Sequence, residues 1–363
     1  MTTTLDQIER EDLVMFINAC FACTGQREFY GDAAGQRVSI GFLHRYILGN
    51  YRRLYARTLA AGINHFNQAQ IIVNLLAAGA PQEAEQRREE GRLIKAALRR
   101  LPPQRAMRAL ASLQQRRVNN RRARAVVRDY LACRSDPNFD AVKYRSKVRS
   151  LAIHNHIRLG DERSAFLFRG WSERKYETAL FEKFRQAHYA KDAVYELPFS
   201  VAEGLAAKHR IPRDEFLTRI QGQMTRAEQL RVEASAQRAG LKRYSADLSK
   251  TPLTKLALYI LGLPLEQRMS ERERLEAGLT AAVKRAVQHS PRRLGRVAAV
   301  LDRSYSTSGS SEKHRRPLAV VFAANRLLRA CASEYRAFWT CDVGDDVFRR
   351  SRRCCSFDQE PQR

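Results

Sequence analysis

The chain has 363 residues, 44% of them hydrophobic and 28% charged, a composition that suits one or two globular domains with a sizeable core. Lys and Arg number 65 against 38 Asp and Glu, a formal net charge of +27; this excludes a charge-balanced surface and favours polyanionic partners, nucleic acid foremost, over arginines that merely coat the surface. Seven cysteines without a framework spacing exclude a disulfide scaffold. Met1–Arg10 lacks the basic start and apolar run of a secretory signal, and Leu318–Leu328, interrupted by Asn325 and Arg326, is too short to span a bilayer. A cytoplasmic protein with no membrane partner is expected.

In chain order, apolar residues at three- and four-residue steps predict helices over 9–22, 40–60, 64–78, 82–101, 103–118, 120–134 and 140–158. The same spacing returns over 172–190, 199–209, 213–222, 225–239, 252–262 and 269–288. Gly79-Ala80-Pro81, Pro102-Pro103, Asp136-Pro137 and Gly160-Asp161 punctuate the series. Alternating Val/Ile/Thr runs with hairpin turns are missing before residue 296. The expected fold is therefore mainly α: a bundle or HEAT-like array of helical repeats over 1–290, although no fixed-period sequence repeat accompanies it.

Chemistry-bearing features are sparse along these helices. Cys20 and Cys23 form a single CxxC within an apolar helix, without a second pair or histidines at metal-site spacing. Arg88, Arg92, Lys95 and Arg99 fall at i, i+4, i+7 and i+11, one face of a helix; Arg117, Arg121, Arg124 and Arg128 repeat the spacing. On the second helix Ala123, Val126, Val127, Tyr130 and Leu131 supply a separate apolar stripe. Like charges at i, i+4 destabilise an isolated helix, so either an anionic ligand or simple solvation accounts for the ladders. Between 166 and 189 aromatic and basic residues interleave. Tyr176, Leu180, Phe184 and Ala187 have core spacing, which leaves Arg169, Trp171 and Arg174, beside Gly170, as the residues displayed for base stacking and phosphate contact. His154 and His156 are expected on opposing sides of a helix, and His188 and His209 stand alone. Without a GxxxxGK or GxSxG motif, the chain is expected not to be an enzyme.

The pattern changes near the C-terminus. Arg296–Leu301 reads as a strand and Asp302-Arg303-Ser304-Tyr305-Ser306 as a loop. Pro317 opens a helix running to about Ser333, and Tyr335–Cys341 reads as a second strand. Strand, D-x-S-x-S loop, helix and strand resemble the entry of a von Willebrand factor A-type (vWA) domain. Asp302, Ser304 and Ser306 would aim one carboxylate and two hydroxyls at a Mg²⁺ or similar divalent cation, leaving an open position for an acidic protein partner; the plain alternative is a helix N-cap region. Only the first half of such a domain is expected, over 296–348, with a pattern-free basic tail at 349–363. Asp342, Asp345 and Asp346 follow the second strand too closely to replace the later loops of a vWA domain.

A helical region followed by a vWA-type segment, with Thr251-Pro252-Leu253-Thr254-Lys255-Leu256 before it, resembles the TROVE proteins, the Ro autoantigen family and its bacterial relatives. The resemblance implies a helical-repeat region that binds small structured or misfolded non-coding RNA in a ribonucleoprotein. The alternative is a vWA-containing adaptor or scaffold acting beside an AAA+ ATPase or another protein partner.

Overall fold

The computed structural model describes residues 4–27, 33–238, 247–289 and 293–340. It is mostly helical, with eighteen α-helices and one two-stranded sheet among the described residues. Among these residues, 4–25 and 34–223 form one compact unit by their contacts, and 26–27, 33, 224–238, 247–289 and 293–340 a second. The units divide at 223/224 rather than near 290, so four helices that precede the sheet group with it and its crossover helix.

The first unit contains α1 (Thr4–Ala22), α2 (Ala33–Asn50), α3 (Arg52–Arg57), α4 (His65–Ala77), α5 (Ala84–Arg100), α6 (Pro103–Gln115) and α7 (Arg121–Ala132). There follow α8 (Pro137–Lys143), α9 (Arg145–His154), α10 (Asp161–Arg169), α11 (Ala179–Gln186), α12 (Phe199–Lys208) and α13 (Arg213–Ile220). Alternate helices are neighbours: α3, α5 and α7 pack side by side, as do α4, α6 and α9. Side chains that resist helix interiors start the helices. Asn64 accepts from the Asn67 amide at 3.0 Å, Asn120 from Ala123 at 2.8 Å and Asp136 from Phe139 at 2.8 Å. The core runs along the inner stripes, with Ile71, Ile72, Leu75, Leu76, Ile94, Leu98, Leu110, Leu113, Ala123 and Val127 all buried.

Two helix ends, those of α6 and α9, fall short of the helices predicted over 103–118 and 140–158 for one reason. At the end of α6, Val118 N–H donates to Leu113 O (2.8 Å) and Arg117 N–H to Gln114 O (3.0 Å). This is the Schellman closure, whose left-handed residue is usually glycine; here it is Arg117, at φ 56°. His156 (φ 52°) after α9 and Arg210 (φ 54°) after α12 close their helices in the same way. The helix expected over 140–158 is likewise two, α8 and α9, hinged at Tyr144.

The second unit contains α14 (Arg226–Arg238), α15 (Leu253–Gly262), α16 (Leu265–Ser270), α17 (Arg272–His289), β1 (Leu294–Leu301), α18 (Arg316–Cys331) and β2 (Ala332–Trp339). β1 and β2 are parallel, in a register that runs from Leu294↔Ala332 to Leu301↔Trp339, and α18 is their crossover. The strand–helix–strand order expected from the sequence is present, the elements beginning one to three residues earlier than read. The core gathers Leu256, Ile260, Leu261, Leu275, Leu279, Ala319 and Phe322, with Trp339 packed against it. Ala299 and Leu301 are buried, whereas on the opposite face Val300 is 79% and Phe338 53% exposed. Two strands and one helix can cover only one side of this sheet. The tail at 349–363 and Asp342, Asp345 and Asp346 lie outside the described residues. Among the described residues no helix is long and apolar enough to cross a membrane.

Candidate nucleic-acid interface

The two basic ladders, distant in sequence, lie on adjacent helices. Buried Glu90, Ile94, Ala97 and Leu98 fix the inner face of α5, so Arg88, Arg92, Lys95 and Arg99 emerge on the outer one, all exposed. Ala123, Val126, Val127, Tyr130 and Leu131 do the same for α7, where Arg121 and Arg128 are exposed and Arg124 half-buried. Lys95 pairs with Asp129 at 2.6 Å, and an Arg99 Nη2–H contacts Cys133 Sγ at 3.4 Å, so both seal the seam between the helices. Arg88, Arg92, Arg121, Arg124 and Arg128 have no carboxylate partner among the described residues. Glu85, Arg88, Gly91, Arg92 and Lys95 line a shallow depression on α5.

Arg117 is a correction. It stands in the left-handed turn that closes α6, four residues before α7 begins, and is not the first rung of the α7 face. Its exposed side chain remains free of carboxylates, but helical spacing does not extend through a Schellman turn.

Beneath the ladders a buried ion-pair cluster sets the spacing of three helices. The Glu90 carboxylate is 1% exposed; it accepts from Arg52 Nε at 2.7 Å and from Arg122 Nη2 at 2.9 Å. Both guanidiniums also donate to Gly79 O, at 2.6 and 2.9 Å. α3, α5 and α7 are thus tied to one carboxylate and to the turn after α4. Sequence spacing gave no hint of this, because Arg52, Glu90 and Arg122 belong to different helices. The same holds for Glu89, which receives Arg53 at 3.0 Å and Arg57 at 2.6 Å; the Arg57 hydrogen bond holds its carboxyl below the usual range.

The second predicted group is brought together only in part. Arg169 is spent on Glu173 at 2.6 Å, while Arg174 is exposed with no carboxylate on its side chain. Trp171 is displayed as expected, and its ring neighbours are His188 and Tyr189, 17 and 18 residues further on. Phe168 is also exposed, with the Arg149 guanidinium 5.1 Å from its ring centre. Phe166, Tyr176, Phe181 and Phe184 form the core beneath, Phe166 and Phe181 stacking at 4.2 Å.

In the second unit the D-x-S-x-S loop follows β1 directly. Asp302 Oδ1 accepts from the Ser304 amide at 2.8 Å and from the Thr340 hydroxyl at 3.2 Å, and Ser304 Oγ lies 2.9 Å from Ser306 Oγ. Burial pushes the Asp302 carboxyl up, but the amide and hydroxyl of Ser304 and the hydroxyl of Thr340 outweigh it and leave it lowered. Thr340 was invisible to a local motif, since the parallel pairing of the strands delivers it. These four oxygens suit a hard cation, yet carry one formal charge. No cluster of three or more His, Cys, Asp or Glu able to hold a metal occurs among the described residues. Cys20, of the CxxC, is buried and its thiol is pushed up to about 12 by burial and by the neighbouring Cys23, the opposite of a reactive thiolate.

The chain matches no protein-family model, no curated protein and no solved structure.

Proposed function

We propose that the chain is an RNA-binding protein whose first unit, read as a HEAT-like array, takes the phosphate backbone on the joined outer faces of α5 and α7. The observation that carries this reading is the set of five guanidiniums, Arg88, Arg92, Arg121, Arg124 and Arg128, left without carboxylate partners on two adjacent helices. Arginine forks suit phosphate oxygens. Such contacts position a backbone and read no sequence, which accords with the structured non-coding RNA that the TROVE resemblance implies. Binding should weaken steeply with salt. Changing Arg88, Arg92, Arg121 and Arg128 together to Gln should flatten the log–log salt slope by roughly 3, at about 0.7–0.9 per phosphate contact. An unchanged slope in a gel-shift titration would remove α5 and α7 from the interface.

A second reading, a protein-docking adaptor, draws on the uncovered sheet face, where Val300 and Phe338 face solvent as a paired rung. Asp302, Ser304, Ser306 and Thr340 would hold a divalent cation there, which would offer a partner carboxylate a positive charge. Metal-dependent capture of a protein partner, lost in Asp302→Ala, would favour it over RNA.

A further inference from the structure

Trp171 stands on a braced turn. Gly170 takes φ 58° and ψ −122°, a conformation open to glycine, and a Cβ there would meet Arg145 Nη2 at 2.5 Å. The Arg145 guanidinium donates to Phe166 O at 3.2 Å and Leu167 O at 3.0 Å, satisfying carbonyls in the last turn of α10. Tyr176 Oη donates to Gly170 O at 2.5 Å, and Ser172 Oγ to Arg169 O at 2.7 Å. The indole is fixed in turn: it stacks on His188 (5.2 Å between ring centres, 22° between planes) and meets Tyr189 edge-on at 6.3 Å. It still leaves 45% of its surface to solvent. Apolar surface of this size, rigidly displayed, loses little conformational freedom on binding a planar ligand.

The charge around the ring selects the ligand. Lys208 Nζ lies 5.9 Å from the indole centre and donates to His188 O at 3.0 Å and His188 Nδ1 at 3.1 Å, which leaves the imidazole neutral. Burial and the Lys208 charge push that imidazole down to about 4, in keeping with this donor arrangement. Lys208, Arg174 and Lys175 have no carboxylate partners among the described residues. A lysine or arginine side chain, which an exposed indole would otherwise attract, is repelled here. A planar group carrying negative charge is not.

We propose that Trp171, backed by His188 and edged by Tyr189, stacks an unpaired nucleobase of single-stranded RNA, with Lys208 and Arg174 taking the flanking phosphates. This rests on the RNA-binding reading but uses none of the residues of the α5–α7 face, so the two can fail separately.

The full chain is titrated with oligoadenylate, with a duplex RNA of equal length and with AMP. Trp171→Ala should weaken oligoadenylate binding roughly ten-fold or more, within the span expected for one stacked base, and change duplex binding less than about two-fold; Trp171→Phe should keep most of the affinity. In a Trp339→Phe background the remaining tryptophan is Trp171, and its emission should be quenched by oligoadenylate. The exposed position makes an unchanged helical circular dichroism signal the folding control for Trp171→Ala. Single-strand affinity within two-fold of wild type in Trp171→Ala, or unquenched emission at saturating oligoadenylate, would overturn the platform while leaving the α5–α7 face standing. AMP binding as tightly as the oligonucleotide would overturn the single-strand assignment. No nucleic-acid binding at all would overturn both.

Discussion

Glu90→Ala is the perturbation whose cost the structure fixes most closely. The carboxylate is 1% exposed and accepts hydrogen bonds from Arg52 Nε (2.7 Å), Arg52 Nη2 (3.1 Å) and Arg122 Nη2 (2.9 Å). Removing it leaves two guanidinium groups, with side chains 22% and 14% exposed, sharing one neutral acceptor, Gly79 O. Breaking a buried charge pair costs about 3–5 kcal/mol, chiefly from the charge left behind. The residual exposure and the Gly79 carbonyl place this case near the lower end, about 3 kcal/mol. Against a typical total of about 5–15 kcal/mol that is a large fraction, readable as a shifted urea midpoint in the helical circular dichroism signal. Replacing Arg52, Glu90 and Arg122 together with Leu should recover most of the loss, because an apolar trio leaves no stranded charge. A loss below about 1 kcal/mol for Glu90→Ala would refute the claim that this carboxylate ties α3, α5 and α7 together.

Arg117→Gly should raise stability by up to about 1 kcal/mol in a thermal melt, since a left-handed residue with a Cβ carries strain that glycine lacks; a destabilised variant would mean that the side chain makes a contact worth more than that strain. His44 and His188 both have imidazoles lowered by burial, His188 to about 4. Between about 4 and the unfolded value near 6.5 the unfolded chain binds protons the folded chain does not, so stability should fall as pH falls through that window. Replacing His188 with Asn should flatten this decline in pH-dependent urea melts, and a decline unchanged in that variant would contradict the assignment. Calorimetry should find Mg²⁺ binding at the Asp302 loop no tighter than about millimolar, one carboxylate being too little charge for a tight site; micromolar affinity would show that further ligands complete it.

The helices and the strand–helix–strand order were legible because both rest on local periodicity, whereas Asp136 caps a helix that starts three residues before the predicted 140. The ends of α6 and α9 were not legible, because Arg117 and His156 occupy positions where glycine is the usual signal. That single substitution of type misplaced Arg117 on the α7 face. The outward direction of Arg88, Arg92, Arg121 and Arg128 could be read from each helix's own apolar stripe, whereas the meeting of the two faces could not. It depends on α5 and α7 packing as alternate helices, which the Glu90 cluster and the Lys95–Asp129 pair secure. Trp171 was legible as a displayed ring beside a glycine turn. His188, Tyr189 and Lys208 come from distant positions, and Thr340 reaches Asp302 only through the parallel register of β1 and β2. The grouping of α15 and α17 with α18, which moves the division between units to 223/224, follows from the shared Leu256, Ile260, Leu275 and Phe322 core and has no local marker.

The most direct test of RNA binding by the first unit is photocross-linking of the full chain to a structured RNA containing 4-thiouridine, with the attachment sites mapped by mass spectrometry. Adducts should concentrate on peptides from 84–100 and 121–132, with a second set around Trp171 when the RNA carries a single-stranded end, and should disappear as salt is raised. Adducts confined to peptides from residues 224–340, or a yield indifferent to salt, would contradict an interface built on α5 and α7.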